Sequence, residues 1–222
     1  FNIPFAMQDD PRGFIDALGN GTARMLGNEH FENLQKLIDL VKENTANPPL
    51  TEDHLMQVSL FASEEVAMIQ QGNWKEAAIM DANPDINMGL VPLATNEDAS
   101  MSGRIPVGIP WFWAVTEDSP EREAARTFLN WLTNEPAGQE QFVTTLNSIP
   151  AYDHFTAEPS GGISSDVLAY SQDGMTLPWM FTLWPQGYST VVSDTLQEYV
   201  AGRIEYDEAL VRLEEAFLEM ME

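Results

Sequence analysis

The side chains able to do chemistry in this sequence are three histidines, thirty-five carboxylates and six tryptophans, with no cysteine. His30, His54 and His154 stand far apart, without the close pairing on one helix that brings two imidazoles to a zinc ion. Lack of cysteine removes disulfides, thiolate metal sites and cysteine nucleophiles; it fits an extracytoplasmic protein without requiring one. No G-x-S-x-G elbow, P-loop or G-x-G-x-x-G occurs, so serine hydrolase and nucleotide-binding readings have no starting point. In "NEDAS", 96 to 100, oxygen-bearing side chains alternate, but Met101 stands where a calcium loop needs glycine and no glutamate follows at the required distance. Two carboxylates about 5 to 10 Å apart would suffice for glycoside hydrolysis. Among thirty-five acids such a pair carries no information. The expectation is therefore a protein with no catalytic residue, no metal and no cofactor.

The tryptophans say more. Trp131 falls within a helical pattern, whereas Trp74 follows a helix stop, Trp111 and Trp113 occupy an extended stretch, and Trp179 and Trp184 belong to a proline- and aromatic-rich loop. An indole at the end of an element can face a cleft and stack on a ligand. Sugar rings suit that surface, because the C–H face of a pyranose lies on the indole while nearby Asn, Asp or Glu side chains take its hydroxyls. The competing reading makes these tryptophans core or rim.

The elements that would hold them follow from periodicity. The chain of 222 residues, 44% hydrophobic and without runs of like charge, can bury a core as one large domain or two small ones. In "EHFENLQKLIDLVKEN", 29 to 44, Phe31, Leu34, Leu37, Ile38 and Val41 form an amphipathic helical stripe. After the "NPP" break at 47 to 49, Thr51 is expected to cap a short helix through about 60. Ser63 with Glu64 and Glu65 predicts a helix that Gly72 ends in a left-handed cap. "INMGLVPL", 86 to 93, reads as a buried strand, 94 to 103 as a polar loop, and 104 to 116 as an extended segment finishing in a second strand. Ser119-Pro120 and Glu135-Pro136 start two helices, the second running to about Leu146. Helices near 163 to 171, from 188 to 201 and over "YDEALVRLEEAFLEMM" complete an α/β reading in which helices outnumber strands. A formal charge of −25 repels nucleic acid and anionic lipid surfaces, so no nucleic-acid partner is expected. No apolar run approaches the roughly 18 residues that cross a bilayer, so no membrane insertion is expected. Beginning at Phe1 in an apolar phrase, the chain reads as a mature or truncated form.

Several phrases, taken in order, resemble a known family. "FASEEVAMIQQGNW" resembles the "aAM...G.W" signature of carbohydrate-type extracellular solute-binding proteins, the capture subunits of ABC importers related to maltose-binding protein. "INMGLVPL", "WFWAVTEDSPEREAARTFLNWLTNEPAGQEQF", "LNSIPAY" and "VAGRIEYDEALVRLEEAF" resemble its later phrases. The resemblance implies a helix-rich, truncated two-lobe α/β fold of the periplasmic-binding-protein-like (type II) kind, in which this chain matches the C-terminal part. It assigns 1–92 to the second lobe, 93–102 to a hinge or loop, 103–148 to a segment completing the first lobe and 149–222 to the rest of the second. A signal peptide and any lipidated cysteine would precede the chain, placing the protein in the periplasm or on the cell surface as a lipoprotein.

By the same resemblance Trp74 is the aromatic that stacks on sugar and Asn73 its polar neighbour. Trp111 and Trp113 lie in a segment facing the cleft, Trp184 matches another stacking aromatic, and Trp179 and Tyr188 are alternatives to it. The implied function is capture of a mono- or oligosaccharide without chemistry and its delivery to the permease subunits of an ABC importer. Ten Lys and Arg in all disfavour an anionic ligand, unless a local pair such as Arg12 and Arg104 supplies the charge. The alternatives are a carbohydrate-active enzyme such as a glycosidase, or a sensory or interaction module that keeps the fold without the pocket.

Overall fold

A computed structural model describes residues 1–48, 50, 51, 53–109, 111–146, 148–159 and 162–221, apart from the side chain of Ala99. Pro49 of the expected break, Glu52 beside the expected cap, Pro110 ahead of Trp111 and Asn147 of the "LNSIPAY" phrase lie outside the described residues. The chain divides into two compact units. Unit 1 comprises Phe1–Gln57, Pro92–Val107 and Met175–Glu222, and unit 2 comprises Val58–Val91 and Gly108–Gly174. These units are cut differently from the lobes that the resemblance implies, which break near 92, 103 and 149.

Unit 1 contains α1 (Asn2–Ala6), α2 (Pro11–Gly19), α3 (Glu29–Glu43), α6 (Ala99–Ser102), α10 (Tyr188–Val200) and α11 (Tyr206–Met221), with strands β1 (Ile105–Val107) and β2 (Thr176–Pro178). Helix α11 is its spine. Ala209, Leu210, Leu213 and Phe217, at three- and four-residue spacing, are all buried and meet Phe5, Met25, Phe31 and Tyr188 in one core. The buried Glu214 on the same helix accepts from the backbone N–H of Leu26 at 2.8 Å and of Met25, and pairs with Arg24 Nε at 2.6 Å. Strands β1 and β2 are parallel, Ile105 opposite Thr176 and Val107 opposite Pro178. A parallel pair needs a long crossover, and residues 108–175 supply it. Asn2 ties the end of β2 to α1: its Nδ2 donates to the Pro178 carbonyl at 3.0 Å and its Oδ1 accepts from Met180 N–H at 2.6 Å.

Helix α4 (His54–Ala62) begins in unit 1 and ends in unit 2. The rest of unit 2 contains a 3₁₀ turn at Asn73–Lys75, α5 (Glu76–Ala82), α7 (Arg122–Asn134), α8 (Pro136–Thr144) and α9 (Gly162–Gln172). Its small core joins Val58, Ala62 and Ile79, with Phe61, Ile69, Ile86 and Met88 packed around them. Helices α7 and α8 pack on each other, and α9 packs on α5 and the 3₁₀ turn.

Several expectations are corrected. No helix runs from 63 to 72. Ser63, Glu64 and Glu65 instead close α4, with Glu64 in the left-handed region at φ 61° and the N–H groups of Glu64 and Glu65 returning to the carbonyls of Phe61 and Leu60. That is the paired-bond ending of a helix C-terminus, here on a residue other than glycine. The cap of α4 is Asp53, whose Oδ1 accepts from Leu55 and Met56 N–H, rather than Thr51. These bonds hold the Asp53 carboxyl below its usual range, the Met56 N–H contributing most. Residues 86 to 93 and 111 to 116 form no strand. An extended segment becomes a strand only beside a partner, and Leu90 N–H donates to the Asp166 side chain at 2.8 Å instead. The expected polar loop at 94 to 103 contains α6, and α7 starts at Arg122, three residues after Ser119.

Candidate functional site

The exposed indole of Trp74 in unit 2 is held by the turn at 72 to 75. Gly72 was expected to end a helix in a left-handed conformation, yet it is extended, with φ −116° and ψ 175°. Its lack of a side chain serves the indole two residues on. A Cβ at Gly72 would sit 2.3 to 2.7 Å from three carbons of the six-membered ring of Trp74. The ring therefore lies against the bare backbone of its own turn while 55% of Trp74 remains exposed. Asn73, half-buried, sends its Nδ2 to Ser164 Oγ at 3.4 Å.

Glu76 opens α5 two residues beyond Trp74 and is buried. Its Oε1 accepts from Ile163 N–H at 2.8 Å, and its Oε2 accepts from Ser164 N–H at 3.0 Å and from the Ser164 hydroxyl at 2.6 Å. Those amides belong to the first turn of α9, where backbone N–H groups have no partner inside the helix and a carboxylate is favoured. Gly162 completes the joint: it has φ +67°, and a Cβ there would lie 1.6 Å from Glu76 Oε1. Asp166, one turn further along α9, holds the extended chain at Leu90. Sequence reasoning missed Glu76, Gly162, Ser164 and Asp166, because partners about 87 residues apart leave no periodic signal.

Trp111 is 73% exposed and Phe112 89%, and Trp111 has no ring partner among the described residues. Trp113 is 46% exposed and lies nearly parallel to Phe128, at 6.4 Å and 14°, and near Phe142 at 6.5 Å. Its neighbours on α7 and α8 thus hold it more firmly than Trp111.

The other three residues named from the resemblance lie in unit 1. Tyr188 is fully buried and its hydroxyl donates to the Leu213 carbonyl at 3.0 Å. Burial, aided by the Glu214 charge, pushes its phenol far above the usual range. Trp184 is half-buried in a nest of Phe1, Phe5, Phe181 and Tyr188, with ring centroids 5.2 to 6.3 Å away. Its Nε1 has no hydrogen-bond partner among the described residues. The edge-to-face ring packing around it is the usual preference of such clusters. Trp179, also half-buried, packs on Phe181 at 5.2 Å. The structure thus groups Asn73, Trp74, Trp111 and Trp113 in unit 2, and Trp179, Trp184 and Tyr188 in unit 1. A cavity of about 260 Å³ in unit 1, lined by Leu18, Arg24, Val211 and Glu214 among others, includes none of the seven. Among the described residues no group of three or more His, Asp or Glu is placed to hold a metal ion, and no helix is long and apolar enough to cross a membrane.

Comparison with known proteins bears on the fold first. A crystal structure described as that of the binding protein MsmE from Bacillus subtilis subsp. subtilis str. 168, in an open conformation, is similar with a TM-score of 0.75 at 20% identity, over 99% of this chain and 55% of that one. The chain thus spans little more than half the length of this relative. Among curated proteins no match is found. The fold is the helix-rich α/β fold of the periplasmic-binding-protein-like (type II) kind. A family model described as bacterial extracellular solute-binding protein matches residues 5–169, and with well over half of its length so matched the chain belongs to that family.

Proposed function

We propose that this protein captures a neutral mono- or oligosaccharide outside the cytoplasm, performs no chemistry on it, and delivers it to the permease of an ABC importer. The observation that carries this reading is the turn at 72 to 75, where a glycine lets the indole of Trp74 rest on its own backbone while over half of the residue stays exposed, with Asn73 as polar neighbour. Leaving a large aromatic side chain in water forgoes about 1.5 to 3 kcal/mol of burial, and a local support that keeps it there fits a surface meant to be covered by a ligand. Trp111 and Phe112 add exposed rings in the same unit. The neutrality of the ligand is supported by the commitments of several cations: Arg24 pairs with Glu214, Arg212 with Glu198 and Glu208, and Arg104 donates to the Ser100 carbonyl. Membership of the solute-binding family supports the extracytoplasmic location and the importer partner.

In mechanism, the sugar shifts the population toward a closed form through contacts that only that form provides, and the closed form docks on the permease. Within this reading Trp74 and Asn73 are the central contacts, Trp111 and Trp113 secondary ones. The test is intrinsic fluorescence during titration with glucose, maltose, cellobiose, xylobiose and sucrose, on the native chain and on Trp74→Ala. A saturable change for one sugar that disappears in the variant is expected; a saturable change that survives both Trp74→Ala and Trp111→Ala sinks the assignment of this face.

A further inference from the structure

The hydrogen bonds around Ser164 have a direction. Glu76 presents carboxylate oxygens that already accept two backbone N–H groups of α9, and its Oε2 takes the Ser164 hydroxyl proton at 2.6 Å. A serine hydroxyl has one proton to give. With that proton committed to Glu76, Ser164 Oγ meets Asn73 as an acceptor, so Asn73 must turn its amide nitrogen inward, as the 3.4 Å contact from Nδ2 shows. The Asn73 oxygen is then the end of the amide turned away from Ser164. Ser164 is 2% exposed and Glu76 9%, so water competes poorly for either link.

We propose that Glu76 and Ser164 are positioning residues for ligand binding: they join the 72-to-75 turn to the first turn of α9 and fix the Asn73 amide with Oδ1 outward as an acceptor. The site then selects a ligand that offers a hydroxyl or N–H donor next to Trp74. This rests on the saccharide reading above, and deepens it by assigning the polarity of one contact and the residues that set it. Gly162 belongs to the same device, since a side chain there would drive the Glu76 carboxylate off the helix.

The test has two arms. The first needs no sugar: the chain is labelled with 5-fluorotryptophan, the Trp74 resonance is assigned by its loss in Trp74→Phe, and Ser164→Ala and Glu76→Gln are compared with the native protein. The expected result is a moved or broadened Trp74 signal with the Trp131 signal unchanged, together with faster exchange of the Ile163 and Ser164 amides. Faster exchange with an unmoved Trp74 signal would mean a cap that serves α9 alone, and would overturn the proposal. Glu76→Gln, nearly the same shape, keeps the test decisive if Ser164→Ala fails to fold. The second arm uses whichever of the five sugars shifts native emission. Asn73→Ala and Ser164→Ala should each weaken binding about five- to tenfold. Asn73→Asp, which loses the N–H given to Ser164 and sets a second carboxylate near Glu76, should weaken binding at least as much as Asn73→Ala; native-like binding in Asn73→Asp would mean that the inward N–H is not needed and overturns the assigned polarity. If no sugar shifts native emission, the saccharide reading fails, while the first arm alone decides whether Glu76 and Ser164 position the turn.

Discussion

Gly162→Ala and Gly174→Ala form a matched pair that measures the joint between Glu76 and α9. Both glycines lie in unit 2, are exposed and have φ +67°. An alanine in the left-handed region costs about 1 to 2 kcal/mol in either place. At Gly174 nothing lies within 4 Å of the added Cβ, so that conformational cost is the whole effect. At Gly162 the Cβ would stand 1.6 Å from Glu76 Oε1 and 2.8 Å from its carboxyl carbon, so the carboxylate must leave. With it go the bonds to Ile163 N–H, Ser164 N–H and the Ser164 hydroxyl. Bonds to a charged acceptor are worth about 1.5 to 3 kcal/mol each. Water can reach the half-buried Ile163 amide beside the exposed Gly162 but competes poorly at the buried Ser164, so at most about half of the summed value is recovered and at least about 2 kcal/mol more is lost at Gly162. Native-state hydrogen exchange is the suitable assay, because two units need not unfold as one. The amides of Ile163 and Ser164, and Ile79 in the nearby core, should lose protection in Gly162→Ala and keep it in Gly174→Ala. Equal costs for the two substitutions, within about 0.5 kcal/mol, would refute the reasoning.

Two further outcomes concern unit 1. Burial raises the phenol of Tyr188, with Glu214 adding to it, and that of Tyr206, with Tyr199 and Asp39 adding; burial, then the bond to Asp39, pushes Tyr199 up to about 12. An acid whose proton is held more tightly in the folded state keeps its full stabilising effect below the unfolded value near pH 10 and loses it as pH rises toward the folded value. The three together should lower stability by about 4 kcal/mol per pH unit above 10. Absorbance at 295 nm should then rise with the loss of helical circular dichroism, and ionisation of all three at unchanged dichroism would contradict this. Separately, Glu214→Ala leaves the Met25 amide buried without its acceptor and should cost about 3 kcal/mol in urea unfolding. Arg24→Ala, removing a side chain 61% exposed, should cost less than about 1 kcal/mol.

What the sequence reveals depends on whether the deciding partner is local. Helices α3, α7, α8, α10 and α11 are legible because their stripes or caps lie within a few residues, as with Phe31, Leu34 and Ile38 along α3 or Pro136 at the start of α8. Ser63 misleads because the same polar residues end one helix and begin another, and only the returning bonds to Leu60 and Phe61 show which. "INMGLVPL" has the composition of a strand, but its pairing depends on a neighbour elsewhere in the chain, and Asp166 takes the Leu90 amide instead. Helices α1 and α2 give no reading beforehand, although Asp10 and Pro11 form a local cap that periodicity alone passes over. The Glu76 joint is invisible for the opposite reason, since its donors enter the chain 87 residues later.

The tryptophans show where a signal of position needs a second signal of support. Trp74 lies within the 3₁₀ turn Asn73–Lys75 and Trp184 directly follows another at Met180–Leu183, neither in a long helix, and position alone treats them alike. Their surroundings differ in kind. Trp184 follows Trp179 and Phe181 and joins Phe1, Phe5 and Tyr188, so rings cover it and its burial contributes to the core of unit 1. Trp74 has beside it a glycine whose backbone supports the ring and an asparagine whose amide is tied to α9. An indole supported from its own turn can stay exposed without losing its orientation, which is what a stacking surface requires before a ligand arrives. The glycine two residues before Trp74 is therefore as informative as the tryptophan itself, and Gly72→Ala, which displaces the ring without removing it, should abolish a saccharide response as fully as Trp74→Ala. A full response in Gly72→Ala would mean that the ring's rest on the backbone is incidental to binding.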